Sequence, residues 1–378
     1  MKFIHLSDLH IGKRENEFSM LEDQRYILTK ILNIIEDEQP EAVIIAGDVY
    51  DKPVPSAEAV SLFDDFLCKL SGYGLQIFII SGNHDSPERI AFGSRLMDAR
   101  GIHISPVYNG KVFPVSMNDI YGTIHIYMLP FIKPVHVRSI FPDEPADSYT
   151  EALETAISHM DINEAERNIL VTHQFVTGAD RSESEEISVG GSDNVDGSVF
   201  SKFDYTALGH IHRPQNVGSG CIRYCGTPLK YSFSEAGHEK SVTVVELAEK
   251  GNIAVRTVPL VPRHDMREIR GTYMEVTAKS FYEGTAADDY IHVTLTDEED
   301  IPDALSKLRT IYPNIMKLDY DNKRTRNTAQ VGEADRMENK SPAELFADFY
   351  EKQNGQPMTD IQSGFINELI ENIWGDEK

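Results

Sequence analysis

The sequence predicts an α/β protein with a large layered domain, a small α+β domain and a helical tail. Up to about residue 260, short β-rich runs alternate with helical stretches. Two prolines in the segment Pro259-Leu260-Val261-Pro262 then bracket the last strand-like run. At 378 residues, the chain is also longer than the roughly 250–300 residues at which a single core stops growing. We therefore expect more than one domain.

Eight strands are expected in the large domain, and polar side chains follow the ends of five of them. The expected strands are Lys2–Leu6, Ala42–Ala46, Gln76–Ser81, Ile124–Leu129, Asn168–Thr172, Tyr205–Gly209, Ile222–Cys225 and Ser241–Glu246. The polar residues that follow these strands are Asp8, His10, Asp48, Asn83, His84, His173, His210 and His212. Because ligand sites on sheets are built from strand-end loops, we expect these side chains to converge on one edge.

The domain limits that we predict are residues 1–262 for the large domain, 263–322 for a small capping domain, 323–340 for a polar linker and 341–378 for the tail. The elements expected in the capping domain are strands at Met274–Thr277, Tyr290–Leu295 and Met316–Tyr320 and a helix at Ile301–Ile311. Two helices are expected in the tail, beginning at Ser341 and Thr359. The apolar residues of the second helix share one face, which could pack on the same chain or dock on a partner: Ile361, Phe365, Leu369, Ile370 and Trp374.

The composition is that of a soluble globular protein, with 40% hydrophobic and 26% charged residues and a mean hydropathy of −0.34. No run approaches the roughly 18 apolar residues of a membrane span. The segment Met1–Asp8 has a charge and a candidate ligand where a signal peptide needs an apolar stretch, so we expect a cytoplasmic protein. Cys68, Cys221 and Cys225 are interpreted as reduced, structural thiols.

The formal net charge of −25 argues against a generally basic surface, because DNA affinity comes largely from Lys and Arg side chains. The acidic excess lies mostly in two segments: residues 141–200 contain 14 acidic and 2 basic residues, and residues 331–378 contain 11 and 4. The rest of the chain is close to balanced. A catalytic face that holds divalent cations could therefore still attract phosphate, so the charge lowers the expectation of a nucleic-acid substrate without excluding it.

Five short motifs each follow an apolar, strand-like run. They are Asp8-Leu9-His10, Gly47-Asp48-Val49-Tyr50-Asp51, Gly82-Asn83-His84-Asp85, Thr172-His173 and Gly209-His210-Ile211-His212. Any one of them is more often a surface turn than a metal site, but the ordered set indicates a two-metal hydrolase. Carboxylates and imidazoles together suit Mn²⁺, Fe²⁺ or Zn²⁺ better than Ca²⁺. Two ions about 3.5–4 Å apart need a shared ligand, for which Asp48 is the natural candidate. The glycines before Asp48, Asn83 and His210 are expected to permit sharp turns.

This motif series resembles that of the calcineurin-like metallophosphoesterase superfamily over roughly residues 1–260. The resemblance implies a β-sandwich flanked by helices. It implies that the first ion is held by Asp8, His10, His212 and bridging Asp48, and the second by Asp48, Asn83, His173 and His210. It also implies that His84 contacts the scissile phosphate without binding metal. We predict that the Asp51 carboxylate partners His84, because a carboxylate beside an imidazole raises its pKa and orients it; the alternative is that Asp51 only caps its turn.

Within this superfamily, the chain resembles the SbcD type of nuclease subunit over nearly its whole length. The segments that support the resemblance are Phe3–Gly12, Ile79–Ser86, Val189-Gly190-Gly191-Ser192, Tyr205–His212 and Tyr224–Pro228. The resemblance implies a Mn²⁺-dependent nuclease that acts on double-stranded DNA ends, hairpins and single strands. It implies an SbcC-type ATPase as partner of residues 341–374, a homodimer within a heterotetramer, and a role of residues 263–322 in placing DNA. The sequence agrees that ATP is used elsewhere, because it contains no Gly-x-x-x-x-Gly-Lys-Ser/Thr phosphate loop.

Two other functions remain open from the sequence. A stand-alone phosphatase or cyclic-nucleotide phosphodiesterase would share the ligand set but would not need residues 263–378. A structural subunit that tethers DNA ends would need the partner surface but not the complete ligand set. The intact set therefore favours the nuclease.

Overall fold

The computed structural model describes residues 1–182, 185, 193–218, 220–323, 325, 341–354 and 357–375. Two compact units make up the chain: residues 1–185 with 194–266, and residues 186–193 with 267–378. The strands are β1 Lys2–Leu6, β2 Arg14–Glu15, β3 Phe18–Ser19, β4 Ala42–Ala46, β5 Gln76–Ile80, β6 Ile102–Ile104, β7 Val115–Asp119, β8 Gly122–Met128, β9 Arg167–His173, β10 Phe175–Val176, β11 Asn194–Val195, β12 Tyr205–Gly209, β13 Gln215–Asn216, β14 Ile222–Tyr224, β15 Ser241–Leu247, β16 Ile253–Pro259, β17 Met266–Gly271, β18 Tyr290–Leu295 and β19 Ile315–Tyr320. The α-helices are α1 Leu21–Glu38, α2 Ala57–Gly72, α3 Pro87–Ile90, α4 Ser94–Met97, α5 Pro134–Ile140, α6 Tyr149–Ser158, α7 Tyr273–Val276, α8 Lys279–Tyr282, α9 Ala304–Leu308, α10 Pro342–Asn354 and α11 Asp360–Gly375.

The first unit is a sandwich of two six-stranded sheets. One sheet has the order β16-β15-β1-β4-β5-β6, and the other has the order β13-β14-β12-β9-β8-β7. Apolar side chains from both sheets, such as Phe3, Ile44, Ile169 and Val171, form one buried cluster between them. Burial on both faces explains why strands such as β4 are apolar at every position. The fold is the β-sandwich flanked by helices that the resemblance to the superfamily implies.

Helices cover the outer faces of the sandwich. The apolar faces of α1 and α2 pack against β1, β4 and β5, and α5 and α6 belong to the apolar cluster of the second sheet. The strands β1, β4, β5 and β6 run parallel, as do β8, β9, β12 and β14. The carboxyl ends of neighbouring parallel strands therefore meet at one edge of each sheet, which positions the loops of the candidate site.

All eight strands expected in this unit are present, and their bounds differ from expectation by at most two residues at either end. The sequence patterns did not predict β6, β7 and β16, nor the two-residue strands β2, β3, β10, β11 and β13, all of which are half-exposed or very short. In β7, apolar and polar positions alternate without the continuous apolar run that identifies the buried strands.

The second unit contains the three-stranded sheet β17-β18-β19, with α7, α8 and α9. The predicted strand at Met274–Thr277 is wrong, because this segment begins with helix α7. A capping box explains the difference: Thr272 accepts a hydrogen bond from the Glu275 backbone N–H, and the Glu275 carboxylate accepts one from the Thr272 N–H. The predicted helix at Ile301–Ile311 is present over the shorter range of α9.

The tail forms the helices α10 and α11, which contact each other. Ile370 of α11 is buried, whereas Ile361 and Phe365 are 85% and 62% exposed. Most of the predicted linker at 323–340, namely residues 324 and 326–340, and the side chain of Trp374 lie outside the described residues. Within the ranges that the structure describes, no helix has the length and apolar character needed to cross a membrane.

Candidate metal centre

The candidate ligands lie at the carboxyl ends of β1, β4, β5, β9 and β12: His173 is the last residue of β9, and the others are on the loops that follow their strands. Backbone hydrogen bonds connect the first two loops: Asp8 N–H donates to the Gly47 carbonyl at 3.0 Å, and His10 N–H donates to the Asp48 carbonyl at 3.0 Å. The His210 N–H donates to Asp8 Oδ1 at 2.9 Å, which links the two sheets at this edge. Parallel pairing within each sheet and the packing of the two sheets therefore bring together residues that are up to about two hundred positions apart.

Asp8, His10 and His212 form one group whose ligand atoms all lie within 4.8 Å of one another. The Nε2 atoms of His10 and His212 are 3.2 Å apart. With metal–nitrogen distances of about 2.1 Å, two ligand nitrogens lie about 3.0 Å apart in octahedral and about 3.4 Å apart in tetrahedral coordination. The observed spacing therefore fits two imidazoles that share one cation.

A second group surrounds His173. Its Nε2 atom lies 3.0 Å from Asn83 Oδ1 and 3.3 Å from Asp48 Oδ2, and His210 Nδ1 lies 2.9 Å from Asn83 Oδ1. Asp48 Oδ2 is also 3.7 Å from His10 Nε2 of the first group. The structure thus brings all seven predicted ligands into one cluster, with Asp48 between the two groups.

The protonation of the metal-free cluster differs from ligand to ligand. Burial by itself raises the pKa of Asp48, but the His173 and His84 imidazoles outweigh it and hold this pKa well below its usual range. Burial lowers the pKa of His10 and of His210 well below the usual value, so both rings are neutral. Asp48 and these two imidazoles therefore have the protonation that binds metal. Burial lowers the pKa of His173, but the Asp48 carboxylate outweighs it and raises this pKa to about 9, and burial raises the pKa of Asp8. A divalent cation would therefore displace a proton from His173 as it binds.

Several ligands occupy a strained backbone. Asp8, His10 and Asp48 have φ values of 52°, 43° and 49°, which non-glycine residues seldom adopt. Gly47 precedes Asp48 with a φ of 87°, as expected for a sharp turn. Gly82 has a different function from the expected one, because a Cβ there would lie 2.1 Å from Asp48 Oδ1. This glycine lets the neighbouring loop approach the ligand closely.

His84 lies beside the cluster, with its ring centroid 4.8 Å from that of His10. The expected pairing with the Asp51 carboxylate is wrong, because His84 Nδ1 donates to the Asp51 backbone carbonyl at 3.1 Å. The Asp51 carboxylate instead lies 3.1 Å from Lys13 Nζ. Asp85 is a scaffold residue, since its carboxylate accepts hydrogen bonds from three backbone N–H groups, two of them in the Asp48 loop.

Sequence reasoning missed the residues that hold the ligand loops. Gln24 of α1 donates to the His10 carbonyl at 2.7 Å, and the Tyr231 hydroxyl donates to the Leu9 carbonyl at 2.6 Å. Glu235 Oε1 lies 3.1 Å from His212 Nδ1. These residues stand outside the five motifs, so only their place in the fold identifies them.

Comparison with known proteins agrees with this geometry. Residues 1–214 match the family model described as calcineurin-like phosphoesterase, and residues 262–354 match the model described as type 5 capsule protein repressor C-terminal domain. The fold and the site thus define a calcineurin-like phosphoesterase, a class that uses divalent metals.

Two relatives narrow the class further. The chain is 31% identical over 380 residues to the SbcD subunit of the SbcCD nuclease of Staphylococcus epidermidis, covering 99% of each protein. It is 32% identical over 379 residues to the protein of the same name from Staphylococcus saprophyticus, covering 98% of each. The chain therefore belongs to the SbcD family of calcineurin-like phosphoesterases. A dimetal phosphatase from Danio rerio is also similar, with a TM-score of 0.42 and 12% identity over 69% of this chain and 96% of that one, a level that supports no conclusion.

Proposed function

We propose that this chain is a dinuclear, Mn²⁺-dependent DNA nuclease that cuts double-stranded ends exonucleolytically and hairpins and single strands endonucleolytically. The clustering of all seven candidate ligands in a chain that aligns end to end with named nuclease subunits is the observation that supports the proposal. The first ion would be held by Asp8, His10, Asp48 and His212, and the second by Asp48, Asn83, His173 and His210.

The proposed metal ligands and His84 would have different roles at the phosphodiester. Bound divalent ions would polarise the phosphoryl group and lower the pKa of the attacking water. Asp48 would keep both sites at a fixed separation, because it lies near a histidine of each group. His84 would contact the phosphate through Nε2, because its Nδ1 donates to the Asp51 carbonyl and fixes the ring. Because Nδ1 already donates its proton to the Asp51 carbonyl, only the doubly protonated imidazolium could also donate a hydrogen bond from Nε2 to the leaving oxygen.

The partner of this nuclease would be an SbcC-type ATPase, with the complex acting in cytoplasmic DNA repair, recombination and replication. The relatives are named as subunits of SbcCD, and the α10–α11 helices expose Ile361 and Phe365. An apolar helical face of this kind suits a helical partner. Residues 263–322 would help to place DNA. A partner that supplies basic surface would also compensate for the net charge of −25.

The proposal is tested by incubating the purified chain with a labelled hairpin duplex and Mn²⁺, with and without EDTA, beside an aryl phosphomonoester. We expect hairpin cleavage that EDTA abolishes and little hydrolysis of the monoester. Adding an SbcC-type ATPase with ATP should extend cleavage to double-stranded ends. Turnover of the monoester with the DNA left intact would support the stand-alone phosphatase instead, and inactivity towards both substrates would favour a tethering role.

A further inference from the structure

We propose that Glu235 and Lys240 form a buried ion pair that positions His212 for cation binding, so that both act as positioning residues for one of the two metal sites. The inference rests on the proposed metal assignment of His212. It assigns a function to two charged residues that lie outside the five ligand motifs.

His212 is held at three points. Its backbone N–H donates to Glu185 Oε1 at 2.6 Å, and its backbone carbonyl accepts from Lys240 Nζ at 2.9 Å. Its Nδ1 atom donates to Glu235 Oε1 at 3.1 Å. The side chain is therefore fixed in the tautomer whose Nε2 lone pair faces His10 Nε2, 3.2 Å away.

The pair is enclosed by the protein rather than solvated. The side chains of Glu235 and Lys240 are 0% and 3% exposed, and their charged atoms lie 2.5 Å apart. The three protons of the Lys240 ammonium go to Glu235, to the His212 carbonyl and, at 2.7 Å, to Thr227 Oγ1. Thr227 belongs to the segment Tyr224–Pro228 that supports the family resemblance, and its own N–H donates to the His212 carbonyl at 3.2 Å.

The energetics of a buried ion pair favour a role of Glu235 and Lys240 in positioning His212 over a role in protein stability alone. A buried ion pair is often no more stable than a well-packed apolar pair, because desolvation of both charges offsets their attraction. Glu235 and Lys240, however, both form hydrogen bonds with His212. Together they fix the direction in which the Nε2 lone pair of His212 points. Carboxylate partners of metal-binding histidines typically change metal affinity by about 10- to 100-fold.

The test compares Mn²⁺ binding by the wild-type chain with that by Glu235→Gln and Lys240→Met, using isothermal titration calorimetry on the metal-free proteins. Asp119→Asn is the matched control, because it breaks another largely buried ion-pair cluster, with Arg167 and the Met1 ammonium, outside the five ligand motifs. We expect Glu235→Gln and Lys240→Met to weaken one of the two Mn²⁺ sites about 10- to 100-fold and leave the other unchanged. The control should bind both ions as the wild type does, although its melting temperature falls.

Circular dichroism and thermal melting establish that each variant is folded at the titration temperature. Wild-type affinity at both sites in the folded Glu235→Gln and Lys240→Met variants would overturn the inference, and so would an equal loss at both sites. Failure of the wild-type chain to bind two Mn²⁺ ions would instead contradict the proposed function. The milder Glu235→Asp variant keeps the charge and should recover part of the affinity if positioning is the cause.

Discussion

His84 and Asp51 lie beside the ligand cluster. Variants of these two residues can distinguish an effect on catalysis from an effect on metal binding. His84 is fixed by the Asp51 carbonyl rather than by a carboxylate. A backbone carbonyl orients the imidazole as well as a side chain does, but it does not depend on the identity of the residue. The ring should therefore matter for turnover, while the Asp51 carboxylate should matter much less.

The variant His84→Ala is expected to retain both metal ions and to lose about 10²- to 10⁴-fold in turnover, the range of a removed general acid or base. Asp48→Ala should lose metal as well, because its carboxylate lies between the two ligand groups. Metal analysis of both proteins, combined with hairpin cleavage, measures the difference. His103→Ala, which removes a histidine paired with Asp98 and Gln76, is the control and should change neither quantity. Full metal occupancy in Asp48→Ala would rule out the bridging assignment.

For Asp51→Asn we expect less than about a tenfold loss of turnover, because the carbonyl that orients His84 remains. The substitution removes only the ion pair with Lys13, which is partly exposed. Single-turnover cleavage by Asp51→Asn and His84→Ala, measured side by side, gives the comparison. A loss as large as that of His84→Ala would instead restore the carboxylate as the functional partner.

At the scale of secondary structure, an ion pair with a buried guanidinium connects β9 to the edge strand β7 of the second sheet. Arg167 of β9 is 2% exposed and pairs with both carboxylate oxygens of Asp119 in β7. The same guanidinium donates to the carbonyls of Gly122 and Ala248, each at 2.7 Å. This pair holds the half-exposed strand β7, whose apolar pattern is weak, against the sheet.

Asp119→Asn should lower the free energy of unfolding by about 3 kcal/mol, because it leaves a buried guanidinium without its counter-charge. The hydrogen bond from Arg167 holds the pKa of Asp119 well below its usual range. A depressed pKa contributes stability above the unfolded value of about 3.9 and loses it as the pH falls. Urea unfolding in EDTA should therefore show a constant difference between wild type and variant near neutral pH and a smaller one below about pH 4. A difference that stays the same down to about pH 3 would contradict this account of the pair.

At the scale of the whole molecule, the proposed surface for partner binding is in the tail, and the proposed metal ligands are in the first unit. The helices α10 and α11 contact each other and bury Ile370, yet Ile361 and Phe365 remain exposed. Large exposed apolar side chains on one helix favour docking on a partner over packing on the same chain. This observation favours one of the two interpretations that the sequence left open.

Deleting residues 341–378 should abolish binding to an SbcC-type ATPase and leave Mn²⁺ binding intact. The point variants Ile361→Ser and Phe365→Ser should each weaken the complex about tenfold or more, as expected for apolar anchors. Analytical ultracentrifugation of the mixed proteins measures the complex, and calorimetry measures the metal. Phe92→Ser, which alters a residue 82% exposed on the first unit, is the control and should leave the ATPase complex unchanged. Undiminished binding by the deletion variant would place the partner surface elsewhere.

The patterns of the sequence predicted the eight main strands and the seven candidate ligands, and its resemblance to the superfamily implied the sandwich. Buried parallel strands are nearly continuous apolar runs, and each ligand motif directly follows one, so local pattern and site are linked in the chain itself. Strand β7 and helix α7 were missed because half-exposed strands and short capped helices lack such a run.

Only the tertiary structure identified the residues that support the ligands. Glu235 and Lys240 lie outside the ligand motifs, and their relation to His212 depends on burial and three specific hydrogen bonds. The structure likewise showed that His84 contacts the Asp51 carbonyl. Residue type alone does not determine whether a histidine bonds to the main chain or to the side chain of a neighbour. The sequence records which groups can bind a cation, because that is set by their chemistry. The direction in which each group points is set by packing between segments far apart in the chain, and that is decided only when the chain folds.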